Sequence, residues 1–368
     1  MSLVFDERRP NTVAPQPTEA VDPDRFDTEA LARYLDQRGQ NHGRLYVQRF
    51  TGARSNPTFL IDSGDHADRA QFVLRQHASP ASSGSAGRLE REYRVMAALA
   101  ATPSVPVPAV QGYCADESVL GGAFYLMDYV PGRTLDDPRL AALPTEQRGG
   151  VYRGMVDTLA ALHEVDVAEV GLTGFGPVHG HLARQAASWQ YQYEQAVGTP
   201  DPAMAALGDW LVVNMPAGTA PTITHGDFRL ANLMFAADRA ELAAVLDWEL
   251  ATLGHPLADL AYACLPYYLP DDMELLPGML GLNLTAWGIP DESELLARYR
   301  SIRGLPPIEG WPVFIAYALF GMAALAQTAQ ARAFPGEAHS EQGLRVAQQV
   351  GELAELGWQM ARYHQTAC

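Results

Sequence analysis

Hydrophobic positions follow two regimes along the chain. In the first third, short stretches rich in β-branched and aromatic residues predict strands: RLYVQRF (44–50), TFLID (58–62), QFVLRQH (71–77) and FYLMDYV (124–130). After the serine- and glycine-rich stretch SPASSGSAG (79–87), the spacing in RLEREYRVMAALA predicts a helix. Asp27 is placed to cap an earlier one, DTEALARYLDQ. From about residue 145 helical patterns take over, in VYRGMVDTLAALHEV (151–165), LARQAASWQYQYEQAV (182–197), AMAALGDWLVVNM (203–215) and 311–333. Two short strand-like pieces, TITH (222–225) and AAVLDW (243–248), interrupt them, and no internal repeat is visible. The pattern predicts an α+β fold of two lobes, a small strand-rich one over 26–131 and a larger helical one over 132–368. Residues 1–25, with four prolines and many charges, read as a mobile tail.

Composition sharpens this picture. With 368 residues, 48% hydrophobic and 19% charged, the chain can bury a sizeable core. A net charge of −17 speaks against general affinity for nucleic acid or anionic membrane, though a local phosphate pocket is compatible with it. The three cysteines, Cys114, Cys264 and Cys368, form neither a metal pattern nor a disulfide framework. With no hydrophobic signal segment at the start, the expected compartment is the cytoplasm. The longest apolar run, WPVFIAYALFGMAALA (311–326), falls short of the roughly 20 residues a bilayer needs, so a buried helix is expected there.

The chemistry concentrates in THGDFRLANLMF (224–235). Gly, Asp and Asn are also ordinary turn residues, so a polar turn is the simple alternative. Asp227 and Asn232 are five apart, however, and Asp247 ends a second short strand 20 residues after Asp227. Phosphoryl transfer needs one carboxylate to hold an acceptor hydroxyl and take its proton. It also needs oxygen ligands, such as a second carboxylate and an amide, for Mg²⁺ beside the nucleotide phosphates.

H-G-D-x-x-x-x-N followed by L-D-W resembles the catalytic loop and metal-binding strand of the aminoglycoside phosphotransferase and choline kinase families, small-molecule relatives of the protein kinases. The longer string HGDFRLANLMF…VLDWELATLGHPLADLAY resembles a subgroup whose kinase-like domain is in some members fused to an acyl-CoA dehydrogenase. The resemblance spans about residues 45–335 and implies a bilobal protein-kinase-like fold with ATP and Mg²⁺ as cofactors. It implies Asp227 as catalytic base, Asn232 and Asp247 as Mg²⁺ ligands, and His225 and Asp259 as braces of the loop. Arg229 either faces substrate or pairs with a carboxylate, since Arg serves both.

In the small lobe, FTGARSNPTFLI resembles the hairpin over the ATP phosphates, with Ser55, Asn56 and Thr58 as donors in place of a G-x-G-x-x-G run. Arg75 stands where protein kinases have a phosphate-binding Lys, with Glu92 of the following helix as its partner ahead of Glu90. FYLMDYVPG resembles the hinge that meets adenine, through the Asp128 carbonyl, the Val130 N–H and a Met127 wall. Subgroup relatives often have Asp where this chain has Ala231 and His255, and tend to have Arg where it has Gly321.

The implied activity is ATP-dependent phosphorylation of a small-molecule hydroxyl. Acceptors in view are an aminoglycoside, a choline-like cation met by Tyr262, Tyr267, Tyr268 or Trp287, and a hydroxyacyl thioester. The alternative is a nucleotide-binding module without catalysis. A protein-substrate kinase fits poorly, because 11 residues between Asp247 and Asp259 leave no room for a long activation segment. His179-Gly-His181 has no acidic or cysteine ligand near it in sequence, so a metal pair is not expected there.

Overall fold

The computed structural model describes residues 17–20, 26–40, 43–50, 56–63, 70–77, 86–176, 180–197, 199–216, 220–273, 275–333 and 341–367. The first part of the chain builds one antiparallel sheet from β1 (Pro17–Ala20), β2 (Leu45–Phe50), β3 (Thr58–Ser63), β4 (Ala70–Gln76), β5 (Val110–Cys114) and β6 (Phe124–Asp128), in the order β1-β2-β3-β4-β6-β5. Two-residue alternation in β4 sends Phe72 and Leu74 to one face and Val73 and Arg75 to the other. The first face packs under α1 (Thr28–Gln37), where Phe26, Leu31 and Leu35 close over Phe59, Ile61, Phe72, Leu74 and Phe124. Asp27 caps this helix by accepting the Ala30 N–H at 2.8 Å. On the second face Phe50, Leu60 and Val73 form a small apolar patch with Met127 against it.

Strand β1 departs from the expected tail. Residues 17–20 pair antiparallel with β2, and an edge position tolerates the proline that a central strand would reject. The rest of that segment lies outside the described residues.

Helix α2 (Ala86–Leu99) crosses behind the sheet. Beyond Gly132 the chain is mainly helical: α3 (Thr145–Glu164), α4 (His181–Ala196), α5 (Pro202–Asn214), α6 (Pro256–Cys264), α7 (Leu284–Trp287), α8 (Glu292–Arg303), α9 (Trp311–Ala333) and α10 (Glu341–Ala367). Two two-stranded ladders are set among them. One joins β7 (Thr222–Thr224) to β10 (Thr252–Gly254), and the other joins β8 (Leu233–Phe235) to β9 (Leu242–Val245). By length and composition α9 could cross a membrane, but 83% of its Trp311–Ala331 window is buried inside the protein, against α4, α6 and α10. The result is a small sheet-plus-helix lobe and a large helical lobe, a protein-kinase-like arrangement. The short ladders carry the loop 225–232 and Asp247 to the junction.

Candidate active site

The loop after β7 is anchored from below by α6. Both oxygens of the buried Asp259 carboxylate accept backbone N–H groups: Oδ2 from His225 at 2.5 Å and Oδ1 from Gly226 at 2.8 Å. His163 Nε2 lies 3.5 Å from Oδ2, and its Nδ1 sits 2.7 Å from the Tyr299 hydroxyl. Burial pushes the Asp259 pKa up, but the hydrogen bond and charge of His163 and the backbone N–H from Gly226 outweigh it, leaving the carboxyl below its usual range. Gly226 has φ +83°, and a Cβ there would stand 2.8 Å from the Leu250 carbonyl oxygen. The second position of H-G-D thus accepts only glycine without strain.

His225 ties the loop to the neighbouring strand. Its Nδ1 accepts the Asp227 N–H at 3.2 Å and its Nε2 donates to the Leu246 carbonyl at 2.9 Å, a pattern that assigns the proton to Nε2. The Trp248 ring, fully buried, packs 4.6 Å from the imidazole, centre to centre.

Asp227 is 3% exposed, too buried to be a solvated turn residue. Asn232 Nδ2 donates to its backbone carbonyl at 2.8 Å and to its Oδ2 at 2.9 Å. Arg229 Nε lies 3.3 Å from Oδ1, an ion pair with that carboxylate. Burial lowers the Arg229 pKa, but Asp227, Tyr262 and Asp136 reverse this and hold the guanidinium firmly charged. Tyr262, on α6, adjoins Asp227; burial and that carboxylate push its phenol well above the ordinary range.

Asp247 follows β9 with φ 62° and ψ 61°, a left-handed conformation that Asp adopts more readily than most residues. The Leu246 N–H donates to the Asn232 carbonyl at 2.8 Å, which holds Asp247 beside the loop. Asp247 Oδ1 accepts from Arg75 Nη2 at 2.9 Å. Arg75 also meets Glu92 at 3.2 Å, the partner expected ahead of Glu90, and Glu249 at 3.6 Å. Burial lowers the Arg75 pKa, but Glu92, Asp247 and Glu249 lift it well above normal. Burial raises Asp247, and Arg75 more than offsets it. Glu92 is pushed up to about 7, by burial first, against the pull of Arg75 and with the push of Asp247 and Glu249.

Strand register brings the small-lobe residues to the same place. Thr58 pairs with Arg75 across β3 and β4, and Arg75 pairs with Tyr125 across β4 and β6. Met127 lies two residues on, opposite Val73, and Asp128 ends β6 opposite Phe72, with Val130 next but one after it. Asn56 is buried, and its carbonyl accepts from Thr58 Oγ1 at 3.2 Å. Ser55 lies outside the described residues, as does His179. Sequence reasoning missed Glu249 and Asp136, and offered Tyr262 only as a face for a choline-like cation. Glu249 stands two places after Asp247 in L-D-W-E, a signal that was available.

For Mg²⁺ and a nucleotide the donor set fits. With its Nδ2 committed to Asp227, Asn232 keeps its amide oxygen for a cation, and Asp247 supplies a carboxylate. Among the described residues no group of three or more His, Cys, Asp or Glu is arranged for a metal. Mg²⁺ at phosphate sites uses one or two carboxylates plus phosphates and water, so a lean set of this kind suits it.

Known proteins are similar to this chain in sequence and in fold. Acyl-CoA dehydrogenase family member 10 of Mus musculus is 39% identical over 354 residues, 96% of this chain and 32% of that protein; the chain thus spans about a third of that relative. The crystal structure of a provisionally named aminoglycoside phosphotransferase from Ralstonia eutropha superposes with TM-score 0.80 at 38% identity, covering 92% of this chain and 99% of that one. A thermostable mutant of aminoglycoside phosphotransferase APH(4)-Ia, in ternary complex with AMP-PNP and hygromycin B, shares the fold at TM-score 0.55 and 14% identity, over 89% of this chain and 98% of that one. The sequence pattern of the phosphotransferase enzyme family, APH, matches residues 47–300, and the chain belongs to that family.

Proposed function

We propose that the protein transfers the γ-phosphate of ATP to the hydroxyl of a small molecule. The observation that carries this reading is the buried Asp227, with Asn232 2.9 Å from its carboxylate and Asp247 held alongside through the Leu246–Asn232 backbone bond. Asp227 orients the acceptor hydroxyl and takes its proton as the bond to phosphorus forms. Arg229 pairs with that carboxylate and holds it in place. Asn232 and Asp247 would hold Mg²⁺, whose charge would offset that of the phosphates. Arg75, steadied by Glu92 and Glu249, binds α- and β-phosphate oxygens once the nucleotide draws it from Asp247. Asn56 and Thr58 cover the phosphates, while Met127, Asp128 and Val130 receive the base. Catalysis on this reading is positioning and electrostatics.

For the acceptor, the matched relative's name points towards acyl-CoA metabolism. We therefore favour a hydroxyacyl thioester over an aminoglycoside. The test is a panel of hydroxyl compounds assayed for Mg²⁺-dependent ATP consumption. Turnover with hydroxyacyl thioesters supports the reading, and activity confined to aminoglycosides reverses the order of acceptors.

A further inference from the structure

Beside the loop lies a cleft of about 120 Å³ between α4 and α9. Gly226, immediately before Asp227, and Tyr262, whose phenol adjoins the Asp227 carboxylate, form part of its wall. The space therefore lies beside the reacting end of the loop.

Its lining is largely aromatic and neutral. Trp189 on α4 and Tyr317 on α9 meet with ring centres 4.9 Å apart, and His181, His255 and Gln185 complete the rim. Asp259 is the lone carboxylate among the lining residues, and both its oxygens already accept backbone N–H groups. His255 is lowered to about 4, by burial and then by the neighbouring His163 and His181, and His181 is lowered by burial and Arg184. Both imidazoles are neutral at pH 7. A polycation entering here would lose water and meet only aromatic faces and one carboxylate whose oxygens are already engaged by backbone N–H groups, too little to offset several charges.

The size of the cleft rests on one glycine. A Cβ at Gly321 would lie 2.5 Å from Trp189 Cζ3 and 2.6 Å from Cη2, so any side chain there displaces the indole. Gly321 is in the interior of α9, where glycine costs helix stability, and the close approach of Trp189 accounts for it.

We propose that this cleft is the specificity subsite for the acceptor, that it takes an uncharged group no larger than a six-membered ring, and that Trp189, admitted by Gly321, sets that limit. The assignment to the acceptor rests on the phosphotransferase reading above; the ligand class rests on the cleft itself. The limit is in scale with an engineered apolar cavity of about 150 Å³ that accepts benzene.

Binding of benzyl alcohol, of benzylamine (the same ring with a cation at pH 7) and of 2-naphthylmethanol is to be measured by ligand-observed NMR on the full chain. Wild type, Trp189→Ala and Gly321→Ala are compared, with Mg–ADP titrated into each by calorimetry. The wild type should favour benzyl alcohol over either other probe by about tenfold, the discrimination pockets of this kind achieve. Trp189→Ala should reverse the ranking of the two alcohols, and Gly321→Ala should weaken benzyl alcohol while leaving Mg–ADP binding intact. Gly321→Ala serves if Trp189→Ala does not fold. Benzylamine binding as tightly as benzyl alcohol, or an alcohol ranking unmoved by either variant, overturns the proposal. Failure of the wild type to bind Mg–ADP instead overturns the phosphotransferase reading, and the acceptor role with it.

Discussion

Replacing Asp259 with Asn tests the foundation of the site without assuming any activity. The carboxylate is 3% exposed and accepts the N–H groups of His225 and Gly226 at 2.5 and 2.8 Å. An amide keeps one acceptor oxygen and turns an NH₂ towards the other N–H, leaving that donor buried without a partner. A hydrogen bond to a charged group contributes about 1.5–3 kcal/mol, and an orphaned buried donor costs about 1–3 kcal/mol more. The expected loss is thus about 2.5–6 kcal/mol, a large share of a typical stability of about 5–15 kcal/mol. Urea unfolding should show a lower midpoint at unchanged slope. The sign with pH is also fixed. Because the folded pKa is depressed, the wild type's extra stability is present above the ordinary carboxylate range and lost as pH falls through the folded value; Asn should abolish that component. A variant within about 0.5 kcal/mol of wild type would show that Asp259 does not anchor the loop, since that is the ordinary range for surface substitutions.

Other outcomes follow from the same geometry. Gly226→Ala forces a side chain into φ +83° against the Leu250 carbonyl, and should cost at least about 1–2 kcal/mol in the same unfolding assay. Glu92 is raised to about 7, so its contribution favours the folded state fully below pH 4.5, its ordinary value, and fades as pH rises through 7. Glu92→Gln should remove that slope, worth about 3 kcal/mol at about 1.4 kcal/mol per pH unit, in stability measured from pH 4.5 to 8. Arg75→Ala leaves Glu92, Asp247 and Glu249 without their shared cation and should weaken Mg–ATP binding at least about tenfold by calorimetry, as for loss of one charge-assisted contact.

The lobes were legible because short β-rich runs and long helical periods are strong patterns over enough residues. β5 was missed between prolines, and β8 and β10, three residues each, are too short to carry a period. Helix α10, 27 residues, was also passed over; its apolar stripe has meaning only against the α9 face it covers. In the site, Asp227, Asn232 and Asp247 were legible through fixed spacing in one loop and one strand. Glu249 and Asp136 were not, and Tyr262 was visible only as an aromatic near an acceptor, because their proximity to Asp227, Arg229 and Asp247 depends on the junction of the lobes and on α6. The Trp189–Gly321 contact joins helices 132 residues apart, and nothing local announces it.

The central claim is that Asp227 activates a hydroxyl for attack on the γ-phosphate. The most direct measurement follows phosphorylated product by ³¹P NMR, with Mg–ATP and an acceptor drawn from the hydroxyl panel, for wild type and Asp227→Asn at matched fold and matched Mg–ATP affinity. Loss of a base contributes about 10²–10⁴-fold, so product formation should fall by at least about a hundredfold in the variant. Equal product from both proteins would contradict the account.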